Sequence, residues 1–413
     1  ICACLVGSEM CIRDSYYIAG APVNNNRNSY IYYYDMVKDM TIPLCSKMDC
    51  DHRTEECEAY MSKDACLGNK IWYHNQRLYM IERTTEKDIL VSYDKTMRDK
   101  KEEKTLSING LSVNKYDNSA CLTNGKLYYL VSGDNQIYLC AVPIDIDGQA
   151  YIVKQYESGY YYHEVISLYP IEDKLYVNWL SGISADEYRY YTEQIDVSTD
   201  EVVIQCNMNE KYPEIASTII YTEWCIQSRF DSDGNIYFAC VGDNKYIVRK
   251  LNISTGDIKD IYSQEMQHEK DYRYVSLKNY DGKYLYIYKN VNGEALAEKS
   301  IEEKRKKYDN NIYILDTDGN VKDTVTLNGT DDTASGNISG EFYGGDDRCL
   351  LIVFSKYGIK GLELSEEKTA LRTELIEEGR KNKKGSPVVS ISAILDKSQI
   401  GSGAITLEQI TPE

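Results

Sequence analysis

The chain alternates between short apolar runs and polar turns over most of its length. One recurring unit is an aromatic or β-branched run, a turn rich in Asp, Gly, Ser, Thr or Lys, and a second short apolar run. Alternation on both sides of a polar turn predicts a β-hairpin. Seven segments follow this pattern and are called outer hairpins: 31–44, 89–106, 137–153, 190–206, 246–262, 311–327 and 358–376.

A second kind of hairpin lies between these copies. Its turn, such as Asn124-Gly125, Asp233-Gly234 or Asp281-Gly282, is followed by Lys or Asn, an apolar residue and Tyr. Asn-Gly and Asp-Gly tolerate the positive φ values that tight hairpin turns need. Six segments follow this pattern: 70–81, 120–131, 167–180, 227–241, 276–288 and 341–354.

Two hairpins per repeat give four antiparallel strands, which is one propeller blade. The sequence therefore predicts an all-β fold, a single β-propeller of about seven four-stranded antiparallel blades, with eight blades as the alternative. Residues 15–20 are expected to supply an inner strand of the first blade. We expect the apolar run 387–395 to pair with that blade and close the ring, which removes free sheet edges.

Three segments depart from the repeat. Residues 4–15 resemble the peptide obtained when a sequencing adapter is translated, so we expect 1–15 to be non-native; a natural short N-terminal arm is the alternative. The propeller is then predicted over 16–397, and 398–413 form a C-terminal tail or closing strand. Residues 294–308 have a charged, helix-forming composition and predict a helical insertion.

Composition and charge narrow the function classes. The chain has 39 Tyr but only 4 Phe, which suits half-buried strands because the ring packs while the hydroxyl reaches water. The formal net charge of -18 repels phosphate backbones and anionic lipid surfaces. Nucleic acid is therefore excluded as an expected partner, and membrane contact is expected only through a lipid anchor.

Three cysteines and one of the four histidines lie within thirteen residues after the first outer hairpin: Cys45, Cys50, His52 and Cys57. Three thiolates and an imidazole complete a tetrahedral zinc shell, although the Cys-x-His step is geometrically tight. Including Cys66 makes the cysteine count even, so disulfides among Cys45, Cys50, Cys57 and Cys66 are the alternative. With either chemistry, the loop 45–66 is predicted to be structural, and structural zinc is the only cofactor expected.

The other cysteines of the repeats lie mostly in apolar strand runs, which predicts buried thiols; a Cys206–Cys225 bridge is the alternative. They are Cys121, Cys140, Cys206, Cys225, Cys240 and Cys349.

Motifs for catalysis are missing from the sequence. Gly-x-Ser-x-Gly is absent, and so is a phosphate-binding glycine loop. The Asp-x-Asp-Gly runs at 145–148, 231–234 and 316–319 resemble the start of a calcium loop but lack its downstream Glu, so they predict hairpin tips. No catalytic or cofactor-binding residue is assigned, and the sequence favours a protein that is not an enzyme.

The segment PLCSKMDCDHRTEECEAY (43–60), after the Tyr-rich IYYYDMVKDMT (31–41), resembles a group of uncharacterised propeller lipoproteins of gut Firmicutes. In that group a PLC…C-x-H…C-x-AY segment follows the first blade. The resemblance implies a TolB-like or quinoprotein-like propeller, export, and membrane tethering through an N-terminal lipidated cysteine. It implies no known activity. This sequence shows no signal peptide, so the expected cell-surface localisation depends on the resemblance.

Two function classes follow from these features. The first is an extracytoplasmic binding or interaction module, a monomeric cell-surface lipoprotein whose ligand is an unknown protein, peptide or carbohydrate. The alternative is a carbohydrate-active enzyme, a glycosidase or lyase, with carboxylates that converge in the propeller funnel from separate blades.

Overall fold

Antiparallel strands make up nearly all of the regular structure in the computed structural model of this chain. The structure describes residues 10–12, 15–22, 29–35, 40–45, 47, 49–50, 56–61, 71–84, 86–94, 99–108, 110–114, 119–133, 136–157, 165–182, 188–213, 228–242, 245–265, 272–291, 311–326, 328–329, 340–345, 347–355, 359–360 and 390–410. The predicted helix at 294–308 lies outside these residues. Within them, no helix has both the length and the apolar character needed to cross a membrane.

The first sheet is formed by N-terminal strands in the order β1-β2-β3-β4, and β5 also pairs with β3. Its strands are β1 (Met10–Ile12), β2 (Ser15–Pro22), β3 (Ser29–Asp35), β4 (Met40–Pro43) and β5 (Tyr60–Met61). We call it the N-terminal sheet.

Six four-stranded antiparallel sheets follow, and each is a meander of four strands in chain order. Blade 1 contains β6 (Trp72–His74), β7 (Arg77–Arg83), β8 (Asp88–Asp94) and β9 (Lys101–Thr105). Blade 2 has a short extra strand, β10 (Ser112–Val113), before β11 (Ala120–Thr123), β12 (Lys126–Gly133), β13 (Gln136–Pro143) and β14 (Tyr151–Glu157). Blade 3 contains β15 (Val165–Ile171), β16 (Lys174–Gly182), β17 (Tyr188–Asp196) and β18 (Glu201–Asn207).

Blade 4 follows the short helix α1 (Met208–Lys211). It contains β19 (Arg229–Phe230), β20 (Asn235–Gly242), β21 (Lys245–Asn252) and β22 (Ile258–Glu265). Blade 5 contains β23 (Tyr272–Tyr280), β24 (Tyr284–Val291), β25 (Asn311–Asp316) and β26 (Val321–Thr326). The last strands are β27 (Asn328–Gly329), β28 (Gly340–Gly345), β29 (Cys349–Ser355), β30 (Ile359–Lys360), β31 (Ser390–Asp396) and β32 (Leu407–Ile410). Blade 6 is β28-β29-β31-β32, while β27 pairs with β30.

The expected all-β propeller is present, but the expected blade count is wrong. The propeller has six four-stranded blades, not about seven and not eight. The difference arises at 31–44, which the sequence pattern counts as the outer hairpin of a first blade. Its strands β3 and β4 belong instead to the N-terminal sheet. That sheet has five strands, because the edge of β3 is divided between β4 and β5, and it is not one of the six four-stranded blades.

The last blade also differs from the expectation. Strand β31 covers most of the apolar run 387–395, but it pairs with β29 and β32 inside blade 6 rather than with the first strands of the chain. The predicted closure by strand pairing is therefore wrong. A side-chain hydrogen bond connects these regions instead, because Tyr34 on β3 donates to Oε1 of Glu408 on β32 at 3.1 Å. Most of the predicted hairpin 358–376 lies outside the described residues.

The core lies between neighbouring blades, as the alternation of side chains along each strand requires. On β16, Leu175 and Val177 pack against blade 2, while Tyr176 and Leu180 pack against blade 4. All four of these side chains are almost fully buried. Each central strand therefore contributes to two interfaces, which holds successive blades in a fixed arrangement.

The fourth strands lie on the outside of the ring, and their exposed side chains are both charged, such as Lys101, Glu102 and Lys259, and apolar, such as Val202, Val203 and Ile258. In blades 1 to 5 the pairing of the third and fourth strands is interrupted by a register shift after Leu90, Leu139, Gln194, Val248 and Ile314. Bulges and charges of this kind disfavour pairing of an exposed edge strand with another chain.

Candidate metal centre

The segment with the predicted metal ligands begins and ends against the same residue of β3. The amide of Leu44 donates to the carbonyl of Ile31 at 2.8 Å, and the amide of Ile31 donates to the carbonyl of Ala59 at 2.8 Å. Ile31 and Leu44 pack with Ile71 and Leu78 of blade 1 in one buried cluster. The cysteine loop is therefore attached where the N-terminal sheet packs on the first blade.

This arrangement brings three of the predicted ligands together. The Sγ atoms of Cys45, Cys50 and Cys57 all lie within 4.8 Å of one another. Cys57 is buried, with 4% of its surface exposed, whereas Cys45 and Cys50 are partly exposed. The other two predicted residues, His52 and Cys66, lie outside the described residues.

Backbone amides polarise two of these sulfurs. Burial opposes ionisation of Cys45, but the amides of Lys47 and Glu58 and the two neighbouring thiols donate to its sulfur, and together they lower its pKa. Burial raises the pKa of Cys57 to about 12, and the other two cysteines add to that shift, although the amide of Ala59 opposes it. Of these two sulfurs, that of Cys45 therefore ionises more readily than that of Cys57.

Lys47 is a residue that the sequence reading did not assign. Its ammonium group donates a hydrogen bond to the carbonyl of Glu56, the residue before Cys57. The bond joins the segment that follows Cys45 to the segment that precedes Cys57. The sequence signal that could have drawn attention to Lys47 is its position between closely spaced cysteines, because a cluster of thiolates carries negative charge.

The donor set fits a soft divalent ion such as zinc. In a tetrahedral shell with Zn–S bonds of about 2.3 Å, sulfurs lie about 3.8 Å apart, a separation compatible with the observed limit of 4.8 Å. No disulfide joins the eight cysteines whose side chains the structure describes. The three thiols thus have the chemistry and spacing to bind one metal ion together.

The remaining described cysteines are buried thiols, as the sequence predicted. The Sγ of Cys206 lies 3.7 Å from Sδ of Met208, inside the interface of blades 3 and 4. Its suggested bridge partner, Cys225, lies outside the described residues.

The Asp-x-Asp-Gly runs are hairpin tips, also as predicted. The carboxylate of Asp231 accepts the amides of Asp233 and Asn235 at 3.0 and 2.9 Å, which closes the turn. Asp316 does the same with Asp318 and Asn320. In both runs, the first carboxylate is committed to turn formation.

Contacts between blade tips were not found by the sequence reading. In each blade, one turn joins the first and second strands and another joins the third and fourth strands. Both turns lie at the same end of the blade, and we call the face formed by these ends the tip face. Links between neighbouring tips are His74 Nε2 to Asp145 Oδ1 (2.7 Å), Lys126 Nζ to Asp200 Oδ2 (2.9 Å), Lys174 Nζ to the Ser232 carbonyl (3.1 Å) and Lys397 Nζ to Asp281 Oδ2 (2.7 Å). No local motif could reveal them because the partners are far apart in sequence.

Comparisons with known proteins support the propeller fold and identify no family for this chain. No family model matches the chain. No curated protein matches it either.

Several solved structures are similar to this chain. TolB from Acinetobacter baumannii is 12% identical with a TM-score of 0.40, over 98% of this chain and 79% of TolB. A Lactobacillus plantarum protein is 10% identical with a TM-score of 0.46, over 97% of each chain. A Mycobacterium tuberculosis puromycin-hydrolysing peptidase is 8% identical with a TM-score of 0.52, over 99% of this chain and 54% of the peptidase. At these identities the similarity concerns the fold alone.

Proposed function

We propose that this protein is an extracytoplasmic β-propeller interaction module, held at the cell surface by an N-terminal lipid, that binds a protein, peptide or carbohydrate ligand. The proposal rests on one observation: a rigid ring of blades is combined with a solvent-exposed tip face. Buried clusters between the blades hold the ring, and the tips present short turns to solvent. A rigid scaffold that presents loops on one face is a common arrangement for binding.

The charge of the tip face limits the ligand class. Exposed carboxylates at the tips include Asp147, Glu172, Asp173, Asp233, Asp318 and Asp347. A surface of this sign disfavours polyanions and favours neutral or cationic ligands.

Within this module we propose that Cys45, Cys50, His52 and Cys57 hold a structural zinc ion. Bound there, zinc would cross-link the two ends of the loop to each other, close to where both are hydrogen-bonded to β3. The hydrogen bonds of Ile31 with Leu44 and Ala59 support this structural role, because they place the ligand-bearing segments on both sides of one buried residue.

Binding can be tested with the full chain against neutral polysaccharides and against cationic and anionic peptides. We expect saturable binding of a neutral or cationic member and no product release. The matched variant Asp147→Lys/Asp173→Lys/Asp233→Lys should weaken binding of a cationic ligand without lowering the melting temperature, because these side chains are exposed. Cleavage of a polysaccharide that depends on tip or channel carboxylates would contradict the interaction-module proposal.

Localisation has its own test. In the source cells, a membrane-impermeant biotin reagent should label the protein on intact cells, and detergent should be needed to release it. Recovery in the soluble fraction, with labelling only after lysis, would contradict surface tethering.

A further inference from the structure

The three clustered cysteines differ in how far solvent reaches them. Cys45 and Cys50 are partly exposed, whereas Cys57 is almost fully buried. Susceptibility of cysteines to oxidation follows exposure and thiolate character. A dissolved oxidant therefore reaches Cys45 and Cys50 before it reaches Cys57.

The backbone also distinguishes the three residues. The amide of Cys50 donates to the carbonyl of Lys47 at 3.4 Å, so the chain turns back towards Cys45 within five residues. Cys45 and Cys57 are both held close to β3, because their neighbours Leu44 and Ala59 are hydrogen-bonded to Ile31, and Cys50 lies in the segment between them. A disulfide requires sulfurs about 2.05 Å apart. Cys50 can approach Cys45 by movement of the short turn between them, whereas a Cys45–Cys57 bond requires movement of segments that are hydrogen-bonded to β3. Solvent exposure favours Cys45 over the buried Cys57 as the partner of Cys50.

We propose that Cys45 and Cys50 are a hydroperoxide-sensitive pair whose oxidation to a disulfide releases the metal ion from the cluster. The proposal rests on the zinc site proposed above and adds a regulation to it. It also assigns the two chemistries considered for this loop, metal binding and disulfide formation, to two states of the same residues.

The reaction balances with a peroxide as the oxidant. One thiolate attacks an oxygen of hydrogen peroxide, the O–O bond breaks, and hydroxide leaves as a sulfenic acid forms. The second thiolate attacks that sulfur, the S–O bond breaks, and a second hydroxide leaves; the two hydroxides take two protons from solvent. Two electrons pass from the two sulfurs to the peroxide, which is reduced to two waters. Because thiolates are the metal ligands, the disulfide leaves Cys57 as the one remaining sulfur ligand of the three.

The test uses the full chain loaded with zinc, treated with increasing hydrogen peroxide and then alkylated. Trypsin cuts after Lys47, Arg53 and Lys63, so mass spectrometry can identify which cysteines are joined. We expect a Cys45–Cys50 cross-link to form in step with the release of one zinc per chain, measured with a chromophoric chelator. Cys57 should then become open to alkylation, and a dithiol reductant should restore zinc binding.

Matched variants make the assignment specific. Cys57→Ala should retain the Cys45–Cys50 cross-link, and Cys50→Ala should lose it, while Cys121 in the core stays unmodified in both. A first disulfide that includes Cys57 or Cys66, or zinc release with no Cys45–Cys50 cross-link, would overturn the proposal. If the chain binds no zinc, the zinc site is wrong, but the same mapping still decides which pair of thiols peroxide joins.

Discussion

The hydroxyl of Tyr237 donates a hydrogen bond to Oδ2 of Asp231 at 2.8 Å, and both residues are buried in blade 4. Tyr286 has the same relationship with Asp281 in blade 5, also at 2.8 Å. Each tyrosine is the third residue of the second strand in its blade, and the acid belongs to the preceding turn. This hydrogen bond fixes the turn to the strand that follows it.

Blade 3 has the tyrosine without the acid. Tyr176 is the third residue of β16, but Pro170 and Ile171 occupy the positions six and five residues before it, where blades 4 and 5 have Asp231 and Asp281. Among the described residues, the Tyr176 hydroxyl has no hydrogen-bond partner although it is fully buried. Burial, with nearby carboxylates of blades 3 and 4, raises its pKa to about 12.

Replacing these tyrosines by phenylalanine should separate the two situations. Tyr237→Phe removes one donor of the buried Asp231 carboxylate, which keeps its bonds from Asp233 and Asn235, and should lower the free energy of unfolding by about 1–2 kcal/mol. Tyr176→Phe removes an unsatisfied polar atom and should change it by less than about 0.5 kcal/mol, or increase it. Urea unfolding of both variants measures the difference. Equal losses would show that the Asp231 bond contributes nothing specific.

The Asp200 carboxylate should make the contact between blades 2 and 3 dependent on pH. It accepts bonds from Tyr128, Tyr151 and Lys126 at 2.5, 2.6 and 2.9 Å. Burial opposes its ionisation, but these three donors outweigh burial and lower its pKa. Its ionised form therefore stabilises the fold above the unfolded pKa of about 3.9, and this contribution is lost as pH falls through the lower folded value.

Asp200→Asn tests that contribution, because Asn tolerates the φ of +61° found at this position. The variant should be less stable than the parent at pH 7, and the difference should shrink as pH falls below about 4. Asp147→Asn, at an exposed tip, is the control and should unfold like the parent at both pH values. Thermal unfolding across that pH range gives the comparison, and a constant difference for Asp200→Asn would contradict the argument.

Asp323 should hold the loop between β31 and β32 against blade 5. Its Oδ2 accepts the amides of Gly401 and Gly403 at 2.9 and 3.1 Å, across the interface of blades 5 and 6. Asp323→Ala leaves those amides without their acceptor and should cost about 1–3 kcal/mol. Hydrogen exchange at residues 401–403 should accelerate in this variant and stay unchanged in Asp318→Ala, whose side chain is exposed. Unchanged hydrogen exchange at residues 401–403 in Asp323→Ala would show that Asp323 does not hold this loop.

Much of the fold could be predicted because the turn chemistry is local. Asn124 and Gly125 have φ of +47° and +68°, as the Asn-Gly signal requires. Four of the predicted outer hairpins form as β13–β14, β17–β18, β21–β22 and β25–β26. Periodicity shows which residues alternate, but it does not show which strand an edge pairs with. The hairpin predicted at 31–44 forms as β3 and β4, but it lies in the N-terminal sheet rather than in one of the six blades. The predicted pairing of 387–395 with the first strands failed because it depends on strands that are distant in sequence.

The candidate site shows the same division. Short spacing identified Cys45, Cys50 and Cys57 as a group, and the structure brings their sulfurs together. The role of Ile31 as the common anchor of both loop ends could not be read from the sequence, because it depends on strands that flank β3. The tip-face pairs such as Lys126 and Asp200 are 74 residues apart, and only the ring brings them into contact.

The metal content and ligand shell of native protein test the central claim most directly. The chain purified without added chelator should contain one zinc per molecule, and its X-ray absorption spectrum should show a sulfur-dominated shell at about 2.3 Å. Cys45→Ala, Cys50→Ala and Cys57→Ala should each lose the zinc and melt at a lower temperature, whereas Cys121→Ala should keep it. Native protein with no metal and with all three thiols open to alkylation, or with a disulfide that includes Cys57, would contradict the account.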